Sequence, residues 1–150
     1  MALPEQIQAD LTAAMKARDR ATTATLRLVV AAIRNLRVAE GHDGEVTDAE
    51  TLELLTREAK RRTEAAQAYD RAGRDDLAAA ERDELAILRR YLPEELTGDE
   101  LAGIVADAVA ETGASSPADL GKVMAALMPK VRGRADGKAV NALVRARLGA

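Results

Sequence analysis

The 150-residue chain contains no cysteine, no phenylalanine and no tryptophan, and Tyr69 and Tyr91 are its only aromatic residues in the usual count. Without cysteine, disulfides, thiolate nucleophiles and cysteine-based zinc sites are excluded. Without rings, a core must be assembled from Leu, Ile, Val, Met and Ala. Such residues suit helix-on-helix packing better than a β-sandwich, which draws on aromatic and β-branched side chains. Long apolar runs are missing too. None exceeds a few residues: Leu28 to Ile33, as long as any, is far short of the about 20 residues needed to cross a bilayer. The start, Met1-Ala2-Leu3-Pro4-Glu5, lacks the basic-then-apolar pattern of a signal peptide. The expected address is the cytoplasm, with no membrane partner.

What is present is charge and helical periodicity. An apolar fraction of 47% beside 31% charged residues is the balance of a globular chain, not a disordered one. The length suits one domain, or two small helical units. The net charge of −3 hides an asymmetry. From Gly121 onward stand Lys122, Lys130, Arg132, Arg134, Lys138, Arg145 and Arg147 against Asp136 alone, a total of +6 that leaves −9 for the first 120 residues. A tail of this sign points to an acidic partner, nucleic acid foremost.

Apolar residues recur at helical spacing almost throughout. A first stretch, 4–17, carries Ile7, Leu11, Ala14 and Met15; a second, 21–40, sets Leu26, Val29, Val30, Ile33 and Leu36 apart from Arg27, Arg34 and Arg37. After the loop Gly41-His42-Asp43-Gly44, the capping box Thr47-Asp48-Ala49-Glu50 predicts the start of a third helix. Its seam is Leu52, Leu55, Ala59, Arg62, Ala66 and Tyr69, and Gly73 ends it. A fourth runs 75–91, closed by Pro93. Thr97-Gly98-Asp99-Glu100 predicts another capped helix, Ser116-Pro117 the next, and Asp136 the N-cap of the last. No β-alternating run occurs. The expected fold is all-α, with an N-terminal bundle of about four helices over 1–93 and a three-helix module over 97–150.

Several strings, in order and spacing, resemble the YqeY family. They are Arg57-Glu58-Ala59-Lys60-Arg61-Arg62 with Ala72-Gly73-Arg74-Asp75-Asp76-Leu77, then Glu84-Leu85-Ala86-Ile87-Leu88 running into Tyr91-Leu92-Pro93. The most specific are Gly121-Lys122-Val123-Met124 and Met128-Pro129-Lys130-Val131-Arg132-Gly133-Arg134-Ala135-Asp136-Gly137, followed by Val140-Asn141. The C-terminal strings are also similar to the tail of the B subunit of the tRNA-dependent amidotransferase. The resemblance implies the same two-part helical organisation. It further implies binding of tRNA or another structured RNA, or attachment to an aminoacyl-tRNA or amidotransferase assembly, because that tail contacts tRNA. It does not imply the amidotransferase reaction, whose chemistry resides elsewhere in that enzyme. A carbon–nitrogen ligase label with glutamine as amido donor would rest on the tail alone.

The candidate nucleic-acid-binding residues are therefore Lys122, Lys130, Arg132, Arg134, Lys138, Arg145 and Arg147. Guanidinium forks grip phosphate bidentately. Gly133 and Gly137 would let a phosphate backbone approach, and the helix start near Asp136 would add N–H donors. The competing readings are a solvated basic surface, or neutralisation of the tail by the acidic body. The cluster Arg57, Lys60, Arg61, Arg62 reads as a salt-laced helix face, with Glu58 and Arg62 spaced i,i+4. His42 beside Asp43 and Glu45 lacks the convergent ligands a transition metal needs. No catalytic residue, metal or cofactor is expected. The alternatives to RNA binding are a protein-interaction adaptor and, weakest, participation in glutamine-dependent amidation of misacylated tRNA.

Overall fold

Seven α-helices account for the secondary structure of the described residues, 1–149, in a computed structural model that also contains one 3-10 turn and no strand. The chain divides into two compact units, Met1–Leu92 and Pro93–Ala150.

The first unit holds α1 (Leu3–Lys16), α2 (Arg20–Arg37), α3 (Asp48–Arg71) and α4 (Asp75–Arg89). Pro4 sits in the first turn of α1, where its missing N–H costs nothing. The Asp19 carboxylate caps α2, accepting from the Thr22 N–H at 3.1 Å and the Thr22 hydroxyl at 2.7 Å. Between these helices Arg18 holds φ +57°. The Asp19 N–H reaches back to the Ala14 carbonyl there, the geometry of a left-handed helix cap in which a side chain costs roughly 1–2 kcal/mol more than glycine. The capping box that opens α3 is complete: Glu50 N–H to Thr47 Oγ1 at 3.1 Å, Thr47 N–H to Glu50 Oε2 at 2.8 Å. The Thr47 N–H first, and then the Thr47 hydroxyl at 3.2 Å and the His42 ring, hold the Glu50 carboxyl below its usual range.

The core of this unit joins Ile7 and Leu11 of α1, Leu26, Val29, Val30 and Ile33 of α2, Leu54, Leu55 and Ala59 of α3, and Ile87 and Leu88 of α4. Burying a Leu or Ile of this kind contributes about 1.5–3 kcal/mol. Thr51 is fully buried yet satisfied, because its hydroxyl donates to the Thr47 carbonyl at 2.8 Å.

The second unit holds α5 (Gly98–Thr112), a 3-10 turn (Pro117–Asp119), α6 (Leu120–Val131) and α7 (Gly137–Arg147). Val123, Leu127 and Val131 recur every fourth residue on α6, as do Val140, Val144 and Leu148 along and just past α7. They meet Leu101, Val105 and Ala108 of α5 in a core with no aromatic side chain. Met124 and Met128 are half-buried against it.

Several local expectations shift. The second helix stops at Arg37 rather than at position 40, and Val38 is 80% exposed. The fourth stops at Arg89, because Tyr91 and Leu92 donate to carbonyls three residues back and Pro93 disfavours a helical residue before it. Met15 lies half exposed, off the Ile7–Leu11–Ala14 stripe. Thr97 caps α5 through its hydroxyl, accepting from the Glu100 N–H at 3.2 Å. The turn after Ser116 is separate from α6, since the Asp119 carboxylate accepts the N–H groups of Ser115 and Ser116. Pro129 lies inside α6, which continues to Val131. No helix among the described residues is long and apolar enough to cross a membrane.

Candidate nucleic-acid interface

All seven basic residues of the tail lie on α6, α7 and the turn between them. Their circumstances differ. Arg134 is half-buried and structurally engaged: its Nε donates to the Glu94 carbonyl at 3.1 Å, and its own carbonyl accepts from the Leu96 N–H at 2.9 Å. The pair of bonds holds the segment before α5 against the α6–α7 turn. Lys130 reaches Glu111 of α5 at 3.3 Å. Arg145 donates to the neutral Asn141 amide at 2.7 Å and keeps its charge uncompensated by that contact. Lys122 stands near Asp119, whose carboxyl is held below its usual range by the N–H groups of Ser115 and Ser116, with Lys122 adding a smaller share. Arg132, Lys138 and Arg147 are exposed and make no ion pair among the described residues.

The helix geometry sorts these groups. On α7, Val140, Val144 and Leu148 point to the core. At 100° per residue, Lys138 and Arg145 fall on one flank together with Asn141, while Arg147 falls on the opposite flank with Leu143. Gly133 holds φ +77° and closes the turn after α6, a conformation that glycine adopts at no steric cost. Gly137 is the first residue of α7, and a Cβ added there would meet nothing within 4 Å. Asp136 occupies the N-cap position of α7 without a side-chain bond to the first turn.

Charge counted by structural unit changes the picture. The second unit has the same seven cations, but eight acids (Glu94, Glu95, Asp99, Glu100, Asp107, Glu111, Asp119 and Asp136), so its net charge is −1. Seven of those acids precede Gly121. The unit is therefore polar, with acid along α5 and its approach and base along α6 and α7. Internal neutralisation operates at Lys130. Counting from Pro93 instead of Gly121 would have exposed this in the sequence.

The 57–62 cluster is laced with salt bridges. Arg61 pairs with Glu58 at 3.1 Å. Arg62, whose side chain is only 15% exposed, faces Glu58 at 4.0 Å, Glu81 at 3.5 Å and Glu84 at 3.1 Å. The two latter partners belong to α4 and were not foreseen, because they lie beyond one helix's reach in sequence. The His42 ring bonds Glu50 at 3.1 Å. Among the described residues no three His, Asp or Glu side chains gather closely enough to hold a metal. Asp76 accepts from Arg74 at 3.3 Å at the start of α4, and that bond, with the Leu77 N–H, keeps its carboxyl low.

No curated protein matches the chain. The family model described as Yqey-like protein matches residues 4–148. That span runs from the first helix to the last residue of the second core, so both units lie inside a single family pattern and the chain belongs to the YqeY family.

Proposed function

We propose that the protein binds structured RNA, tRNA being the expected class, through the basic residues of α6, α7 and the turn between them, which lie on both flanks of α7. The observation that carries this reading is that Arg132, Lys138 and Arg147 stay exposed and unpaired among the described residues although their unit carries an excess of acid. Cations that serve only to balance internal acid would sit in pairs, as Lys130 does. The resemblance of the C-terminal strings to the amidotransferase tail supports the same ligand. Tyr91 is half-buried with its hydroxyl committed to Asp10, and Tyr69 is also half-buried. Base stacking on rings therefore contributes little, and recognition runs through phosphates and the shape of folded RNA.

The test is binding of the full chain to total tRNA across a salt series, beside a variant with Arg132→Gln, Lys138→Gln and Arg147→Gln. Affinity of the wild type falls with salt as counterions are released, and the variant lowers the slope of log Kd on log salt by roughly 2–3. Absence of binding at low salt, or a slope the variant leaves unchanged, overturns the reading. One observation favours a second reading, a protein-interaction adaptor: Leu143 is 40% exposed on the Arg147 flank of α7. Capture of a stoichiometric protein partner by nuclease-treated protein, lost on Leu143→Asp, would support it.

A further inference from the structure

The tail is not the only strongly basic stretch. Between Lys16 and Arg37 stand Lys16, Arg18, Arg20, Arg27, Arg34 and Arg37 against Asp19 alone, +5 in 22 residues. The first unit as a whole, with 15 cations and 17 acids, carries −2. The helix α2 itself contains no acid.

Folding arranges this charge. Thr22, Thr25, Leu26, Val29, Val30 and Ile33 are the buried side of α2. Arg20, Arg27 and Arg34 recur every seventh residue, so they share one stripe on the opposite, exposed side, roughly 10 Å apart along the axis. None of the three forms an ion pair among the described residues. Arg37, by contrast, is held by Glu45 at 2.8 Å. Ala24 and Ala31, also seven apart and exposed, lie beside the stripe. They leave room for a chain to lie along the helix. At its lower end Arg34 and Arg37 rim a shallow groove of about 400 Å3 between α1 and α2, with Val30 and Ile33 in its floor and Glu5 on the far wall. Arg18, at the α1–α2 corner, keeps a cation where the left-handed backbone would favour glycine.

We propose that the exposed ridge formed by Arg20, Arg27 and Arg34 is a second phosphate-binding surface, which takes the sugar–phosphate backbone of folded RNA. The proposal rests on the RNA reading above for the class of ligand, but not for the residues. Free guanidinium groups at regular intervals fit a regular array of phosphates, because each planar fork can donate to the two non-bridging oxygens of one phosphate. An acidic protein helix would need an apolar seam to dock on, and the ridge offers two alanines with Leu28 to one side. An anionic membrane would call for an apolar face to insert, and that face of α2 is spent on the core.

The experiment compares wild type, Arg20→Gln/Arg27→Gln/Arg34→Gln, and the Arg132/Lys138/Arg147 variant for tRNA binding across the salt series. Phosphatidylserine vesicles and poly-glutamate serve as alternative polyanions. Glutamine keeps the helix propensity of arginine and all three sites are exposed, and matching thermal melts establish that the variant is folded. The ridge variant is expected to weaken tRNA binding at least tenfold at moderate salt and lower the salt slope by roughly 2–3. An Arg→Lys version at the same positions restores most of the slope. If the ridge variant binds like wild type while the tail variant fails, the ridge proposal is overturned and the tail reading stands. If the ridge variant fails while the tail variant binds, the ridge is established and the tail reading falls. Vesicle or poly-glutamate binding that the ridge variant abolishes, with no tRNA binding by wild type, overturns the RNA assignment for both.

Discussion

The hydroxyl of Tyr91 donates to Asp10 Oδ2 across 2.6 Å, joining the turn after α4 to α1 over 81 residues of sequence. Burial first, and then this bond, pushes the Tyr91 phenol above its ordinary value of 10.0. Because the folded-state value is raised, the folded form favours the neutral phenol. The associated stability is fully present below about pH 10 and is lost as the pH rises toward the folded-state value.

Replacing Tyr91 by Phe is expected to lower stability by about 1.5–3 kcal/mol, the worth of a hydrogen bond to a charged acceptor. The check is the urea midpoint at pH 7 and at stepped pH from 9 to 11. Wild type should lose more stability than Tyr91→Phe over the alkaline range, so that the two curves converge. Parallel curves would show that the phenol is not what titrates.

Arg62 holds three carboxylates from two helices with its side chain 15% exposed, and its Nε is buried without a partner. Removing the cation leaves Glu58, Glu81 and Glu84 facing one another in a partly desolvated site. Arg62→Met is expected to cost about 3 kcal/mol, the scale of breaking one side of a buried ion pair. Arg62→Lys, which keeps the charge but not the fork, should cost less. Chemical denaturation of both variants tests the order; a cost below that of the exposed pair Arg61–Glu58, which is worth at most about 1 kcal/mol, would show that the cluster does not hold α3 to α4.

Arg134 and Arg132 stand two residues apart in the basic turn, yet only Arg134 reaches the Glu94 carbonyl. Arg134→Ala is expected to lower stability by about 1 kcal/mol and to speed hydrogen exchange of the Leu96 amide. Arg132→Ala should leave both unchanged. Equal effects would mean that the approach to α5 is held by other contacts. The difference also explains why Arg132, Lys138 and Arg147 are the cleaner positions for testing RNA binding.

The seven helices, the Thr47 cap, the turn at Gly73 and most of the apolar stripes were legible in the sequence, although Met15 falls off its stripe and the buried Leu54 lay outside the expected seam of α3. Helix formation is decided by residues three and four apart and by the few side chains at each end. The YqeY resemblance was likewise carried by strings of adjacent residues. The candidate site was legible only as a list of cations, because the state of a charge depends on what the fold sets beside it. Lys130 meets Glu111 over 19 residues, Arg62 meets Glu84 over 22, and Tyr91 meets Asp10 over 81. Of the α2 arginines, Arg27, Arg34 and Arg37 were visible as residues off the apolar side, whereas Arg20 lay before the expected start of the helix. That three of them form an exposed, unpaired ridge while the fourth is held by Glu45 was settled by tertiary structure, since it depends on where neighbouring acids come to rest. Local periodicity determined the helices; long-range packing decided which of their charges remain free to meet a partner.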